Sequence, residues 1–92
     1  MIVRIQGEGQ WEVLDSHVAE LNKLDDQMVD VVKRHDEATF ASMLGTLTAY
    51  VRQQGRALKP DEIRESDLIL PPSDATLEEV EKEFSDEGLI PG

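Results

Sequence analysis

The stretch from Ala38 to Val51 constrains the fold most, because it carries no charge in a chain of which 32% is charged. A helix on the surface of a small protein normally has one apolar face and one charged face. A helix without a charged residue in its centre is therefore either central in the fold or covered by another molecule. Its bulky side chains recur at helical spacing and predict a buried ridge: Phe40, Leu44, Leu47 and Val51.

Two further lines of residues run along the same predicted helix. Ala41, Gly45 and Ala49 form a line of small residues, and Met43 and Tyr50 belong to a mildly polar line. Small side chains permit close approach of two helices, because the distance between helix axes follows side-chain size. Two interpretations stay open: an intramolecular hairpin uses both the ridge and the small line, or these five residues form a protein interface.

An amphipathic helix is predicted before this stretch, from Asp15 to about Arg34, with Asp15 as its N-cap. Asp30 and Arg34 stand at i and i+4 and are expected to form an ion pair. The two helices together predict a helical hairpin that the rest of the chain packs around. The apolar stripe of the first helix consists of Leu14, Val18, Leu21, Leu24, Met28 and Val31/Val32.

Capping signals predict the ends of the later helices. Asp36 is expected to cap the second helix, which ends near Gln54 with Gly55 in the left-handed conformation. Thr76 and Glu79 match a capping box at the start of a short third helix. That helix is predicted to end before Gly88, with an apolar face made of Leu77, Val80 and Phe84.

Alternating apolar and polar residues predict the strands. Residues 1–13 are typical of a β-hairpin, with Glu8-Gly9 as the central pair of its turn. Residues 67–70 predict a short strand at a sheet edge, because Pro71-Pro72 follows and proline cannot donate to a ladder. We therefore predict a single α+β domain, residues 1–92. In it the N-terminal β-hairpin and a short third strand pack on a helical hairpin, with a short C-terminal helix.

The net charge of −11, from 20 acidic and 9 basic residues, disfavours binding to nucleic acids and to anionic lipid surfaces. The chain contains no cysteine, which excludes disulfides, thiolate nucleophiles and cysteine-based zinc sites and favours a reducing compartment. No apolar run approaches the ~20 residues that span a bilayer, and we expect neither a signal peptide nor direct membrane insertion.

Catalytic, cofactor and metal sites are not predicted. His17 and His35 have no nucleophile or orienting carboxylate at a recognisable spacing. Asp25 and Asp26 diverge by ~100° around the first helix, which favours a solvated face over a cation site shared with Asp30. Two alternative functions stay open. One is a small-ligand or divalent-cation sensing domain that uses the acidic surface, and the other is an enzyme, which requires that His17 or His35 faces a pocket with acidic neighbours.

Four segments, in order along nearly the whole chain, resemble the PspA-associated protein family, PspAA. The segment around Pro71-Pro72 is the most specific. The segments are MIVRIQGEGQWEV at residues 1–13, LNKLDD at 21–26, SDLILPPSDATLEEV at 66–80 and GLIPG at 88–92.

The resemblance implies a small cytoplasmic protein that works with phage shock protein A (PspA), a coiled-coil membrane-remodelling protein of the envelope-stress response. It brings no catalytic residue to this chain. We therefore expect a non-enzymatic adaptor or regulator that is recruited to the membrane surface through its partner. The second helix is expected to pair with its copy in a homodimer or to accept a helix of PspA.

Overall fold

The α+β fold class is confirmed by the computed structural model, which describes residues 1–83, with Glu83 as backbone only. The predicted Phe84 contact and the end of the third helix before Gly88 lie outside these residues. Within residues 1–83 the elements are β1 (Ile2–Ile5), β2 (Gly9–Val13), α1 (Asp15–Lys33), α2 (Glu37–Gln54), β3 (Gly55–Ala57), β4 (Leu68–Leu70) and α3 (Leu77–Glu83).

The sheet of residues 1–83 has four strands in the order β3-β2-β1-β4, one more than predicted. β1 and β2 form the predicted antiparallel hairpin. β4 pairs parallel to β1, with Val3 opposite Leu68 and Ile5 opposite Leu70, and it lies at the predicted edge. The additional strand, β3, follows α2 directly and pairs antiparallel with β2.

The turn of the hairpin differs from its prediction. The backbone N–H of Glu8 donates to the carbonyl of Ile5 at 3.0 Å, so the central residues of the turn are Gln6 and Gly7. Gly7 has a φ of +82°, which suits the third position of a type II turn. Gly9 is already the register partner of Ile5, and the predicted central pair Glu8-Gly9 was wrong.

The core lies between the sheet and the two long helices. α1 and α2 pack on each other, and α2 also contacts β2 and β3. Strand residues that alternate along β1 and β2, among them Val3, Ile5 and Val13, are buried there because successive side chains point to opposite faces. Trp11 is half-buried against the same core. The buried helical side chains are Leu21, Leu24, Met28, Val31, Val32, Phe40, Leu44, Leu47, Val51, Leu77 and Val80.

The start of α1 corrects two predictions. The N-cap position is Leu14, in extended backbone and without a side-chain cap, and Asp15 is the first helical residue. Leu14 was expected in the apolar stripe, yet it is 64% exposed, because it precedes the helix and does not share its periodicity. The predicted ion pair is present, with Arg34 Nε 3.0 Å from an Asp30 carboxylate oxygen.

The caps of α2 and α3 follow the sequence signals more closely. Asp36 accepts a hydrogen bond from the backbone N–H of Thr39 at 3.1 Å. Thr76 and Glu79 form the reciprocal capping box, with each side chain bonded to the other residue's backbone N–H at 3.2 Å. α2 ends at Gln54 as predicted, but Gly55 is extended rather than left-handed, because it begins β3.

The outer face of the sheet is crossed by residues 58–67, which we call the strap. It connects β3 at one edge with β4 at the opposite edge. The backbone N–H of Leu58 donates to the carbonyl of Gln10 at 2.9 Å. The buried Gln10 side chain donates to the carbonyl of Arg64 at 2.6 Å and to the hydroxyl of Ser66 at 2.8 Å. The strap is thus fastened over the middle of the sheet.

Candidate functional site

α2 buries the ridge that its sequence predicts. Phe40, Leu44, Leu47 and Val51 are buried in the core. Thr48 is buried beside them, and its hydroxyl donates to the carbonyl of Leu44 at 2.8 Å. The hydroxyl is therefore satisfied by its own helix, so this face needs no polar partner.

The opposite face of α2 is exposed and carries no charge in its centre. Ala41 and Gly45 are exposed, and Ala49 is half-buried. A Cβ placed on Gly45 would meet no atom within 4 Å. The intramolecular interpretation, in which the hairpin uses the small line as well as the ridge, therefore does not hold for Ala41 and Gly45. Further exposed residues of this face are Ala38, Ser42, Thr46 and Gln53.

Met43 and Tyr50, the other two candidate interface residues, do not share a face with the small line. Both are half-buried against the core on the other flank of α2. The Tyr50 hydroxyl lies 3.3 Å from Nδ1 of His17, and the two rings meet edge to face with centroids 6.2 Å apart. This flank of α2 is thus partly occupied by α1. We call Ala41, Gly45 and Ala49, with the exposed residues around them, the outer face of α2.

A shallow groove of about 620 Å³ lies between α1 and α2 on the Met43 flank. Met43 and Thr39 line it from α2, and Val31 lines it from α1. Ala19 also lines it from α1, and the other α1 residues of the wall are polar or charged, among them the Asp30–Arg34 ion pair. The groove extends the surface beside α2.

The two histidines do not form a common site. His17 contacts Tyr50 between the helices, whereas His35 lies in the turn between them with a φ of +55°. Nδ1 of His35 is 2.6 Å from a carboxylate oxygen of Glu81, a contact that connects the turn to α3. Within residues 1–83 the ring of His17 has the Tyr50 hydroxyl as its partner, and the ring of His35 has the Glu81 carboxylate.

The acidic side chains are dispersed. In the part of the chain that the structure describes, no three histidine, aspartate or glutamate side chains converge as a metal ion requires. Asp25, expected on a solvated face, is half-buried, and its Oδ1 is buried without a hydrogen-bond partner among residues 1–83. Burial, and then the neighbouring charge of Asp26, raise the pKa of Asp25.

The fold and this surface define a class of protein: a small α+β module whose described part presents an exposed helical face without charge in its centre. Residues 1–92 match the sequence profile of the PspA-associated protein family, PspAA, and the chain belongs to that family. No curated protein and no solved structure shows significant similarity to the chain. Among residues 1–83, no helix is long and apolar enough to cross a membrane.

Proposed function

We propose that this chain is a non-enzymatic adaptor or regulator that acts with a PspA-type coiled-coil protein in the cell-envelope stress response. The family to which the chain belongs is named for its association with PspA. Under this proposal the protein works in the cytoplasm and reaches the membrane surface through its partner. The observation that carries the proposal is the exposed, uncharged outer face of α2 in a chain whose net charge is −11.

The outer face of α2 suits a helical partner. Ala41, Gly45 and Ala49 recur at every fourth residue, so the row they form follows the helix and presents backbone close to the surface. Because interaxial distance falls with side-chain size, a partner helix can approach this row closely. An uncharged face also lets two chains meet without desolvating a charged side chain, which is costly when the charge stays unpaired.

Co-purification with a PspA-type protein from the same organism tests this proposal. The wild-type chain is expected to form a stable mixed complex, and Ala41→Glu and Gly45→Leu are expected to abolish it. Ser16→Glu, which adds a charge at an exposed position of α1, is the matched control and should leave the complex intact. Circular dichroism must show that each variant keeps its helices.

Light scattering of each protein alone separates the partner from a second copy of this chain. A mixed complex that is lost with both α2 variants supports the adaptor. A homodimer that both variants dissociate, without any mixed complex, would assign the outer face of α2 to self-association and contradict the adaptor. Variants that fold and assemble like the wild type would remove the outer face of α2 from either role.

A further inference from the structure

A second feature of the surface lies on the opposite side of the molecule from the helices. Between the strap and the outer face of the sheet is a cavity of about 260 Å³. Leu58, Pro60 and Ile63 of the strap give it an apolar wall. Arg4 of β1 and Gln10 of β2, which are register partners, line it from the sheet.

The shape of this cavity is fixed by hydrogen bonds that the sheet makes to the strap. The Gln10 amide is already committed to Arg64 and Ser66, and the carbonyl of Gln10 accepts from Leu58. The strap therefore cannot collapse onto Arg4 without breaking bonds of a buried amide, which would leave its donors unsatisfied. A preformed cavity of this kind loses little free energy to reorganisation when a ligand binds.

Two cations line the cavity, and neither has an anionic partner among residues 1–83. Arg4 is half-buried, and Lys59 is exposed. The ion pairs found within residues 1–83 include neither of these two side chains. A guanidinium that is partly withdrawn from water gains from a carboxylate that accepts two parallel N–H bonds. Arg4 and Lys59 are therefore uncommitted donors.

Two carboxylates also line the cavity, but both are neutralised from outside it. Glu8 holds Arg52 at 2.7 Å, and Glu62 holds Arg56 at 3.3 Å. The hydrogen bonds from these arginines are the main reason that the pKa of each glutamate is lowered. Arg56 also pairs with Glu12, which in turn pairs with Arg64, so two arginines balance two glutamates in that network. With this network and the Glu8–Arg52 pair counted as neutral, the charge left at the cavity is that of the two cations, in a chain that is otherwise strongly acidic.

We infer that this cavity binds a small organic anion with one carboxylate and a short aliphatic tail. The carboxylate lies between Arg4 and Lys59, and the tail lies against the apolar wall of the strap. Ile63 is 88% exposed, and a bound tail would cover part of it. The volume is below the roughly 300–1,000 Å³ of pockets for drug-sized ligands, which restricts the ligand to about ten non-hydrogen atoms.

The test is a titration of the full-length, ¹⁵N-labelled chain with hexanoate, followed by amide chemical shifts, with hexanol as the neutral probe of equal length. We expect saturable shifts at Arg4, Gln10 and the strap with a Kd of about 1 mM, and none that saturate with hexanol. Arg4→Gln and Lys59→Gln are each expected to weaken hexanoate binding by about tenfold, the loss of one charge-assisted contact.

Lys33→Gln is the matched control, because Lys33 is exposed on α1 and does not line the cavity. It should bind hexanoate like the wild type. Non-saturable shifts, equal shifts with hexanol, or unchanged affinity in Lys59→Gln would overturn the inference. Lys59 is exposed, so its variant carries the test even if Arg4→Gln does not fold. The result does not depend on complex formation with a PspA-type protein.

Discussion

At the scale of single residues, Asp25 is the side chain whose surroundings suit it least. Its Oδ1 is buried and lacks a donor among residues 1–83, and burial raises the pKa of its carboxyl group. The site therefore favours the neutral form of this carboxyl group over the ionised form. Because folding moves this carboxylate out of water without a compensating bond, Asp25 lowers the free energy of unfolding.

Asp25→Ala is expected to raise the free energy of unfolding at pH 7 by about 1 kcal/mol more than Asp26→Ala does, a value reduced for partial exposure. Asp26 is an exposed neighbour on the same helix, so its variant controls for the helix propensity of alanine. Urea unfolding of both variants and the wild type gives the comparison.

The pH dependence of Asp25 has a defined sign. Its pKa is raised in the folded state, so the folded chain binds more protons than the unfolded chain just above the ordinary aspartate range. The contribution of Asp25 to stability should therefore fall as pH rises through that window, and the advantage of Asp25→Ala over the wild type should grow with it. An advantage that is constant between pH 3 and pH 7 would contradict this account.

At the scale of secondary-structure elements, Gly45 within α2 and Gly55 just after it have opposite surroundings. A Cβ on Gly55 would lie 2.6 Å from the carbonyl oxygen of Val51 and 3.0 Å from Cβ of Trp11, whereas one on Gly45 meets nothing within 4 Å. The close approach at Gly55 is what allows the chain to pass from α2 directly into β3.

Gly55→Ala is therefore expected to lower the free energy of unfolding by about 1–3 kcal/mol, because backbone must shift to admit the methyl group. Gly45→Ala, the matched change in open space, is expected to raise it by about 0.5–1 kcal/mol, since glycine is a poor helix former. Urea midpoints decide between these signs, and a stabilising Gly55→Ala would refute the tight passage into β3.

The Asp36 cap of α2 should make a contribution to stability that depends on pH. The hydrogen bonds that Asp36 accepts from Thr39 are the main cause of its lowered pKa. The contribution of the cap is thus present above the unfolded-state pKa and is lost as pH falls through the lowered folded-state pKa. Asp36→Ala should lower the thermal midpoint at pH 7 and have less effect near pH 2.

Asp36→Asn is the control for this cap, because asparagine caps a helix without titrating. Its thermal midpoint at pH 7 should stay close to that of the wild type. The part of the pH dependence of the midpoint that comes from ionisation of Asp36 should be absent. If Asp36→Ala melts like the wild type at pH 7, the cap does not contribute to stability.

Two of the helix caps could be predicted from local signals in the sequence, whereas β3 depends on a distant partner and could not. The Asp36 cap and the Thr76–Glu79 box each join residues three apart, so their spacing is sufficient. β3 is a Gly-Arg-Ala segment without alternation, and it is a strand only because it pairs with β2. For the same reason Gly55 is extended, where its position after a helix predicted a left-handed cap.

At the scale of the whole molecule, the strap connects the two edges of the sheet, and hydrogen bonds from Gln10 attach it to the sheet between them. Gln10→Ala removes the side-chain bonds to Arg64 and Ser66, and should lower the free energy of unfolding by about 1–3 kcal/mol. Trypsin is expected to cleave after Arg64 faster in this variant, because the strap opens locally more often.

Gln53→Ala is the matched control for this experiment, since Gln53 is exposed on α2 and lies outside the strap. Its cleavage after Arg64 should stay at the wild-type rate. Equal rates in the two variants would mean that the ion pairs of Arg56 with Glu62 and of Arg64 with Glu12, at 3.3 and 3.5 Å, hold the strap without Gln10.

The outer face of α2 and the cavity under the strap also differ in how much of each the sequence predicts. The outer face of α2 is contained in one continuous helix, so its missing charges and small residues are readable from spacing alone. The cavity under the strap joins Arg4 with Lys59, residues of β1 and of the strap that only the strand order brings together. Because the sequence does not predict β3, it gives no reason to expect that residues 58–67 cross the sheet.

The position of β1 between β2 and β4 has a consequence for how the chain is made in the cell. β2 is synthesised immediately after β1, but β4 ends at Leu70, so one edge of β1 stays open while most of the chain is translated. Open edges invite pairing with other chains, and contacts between distant residues form slowly. We therefore expect this edge of β1 to stay available for pairing with other chains until β4 has left the ribosome.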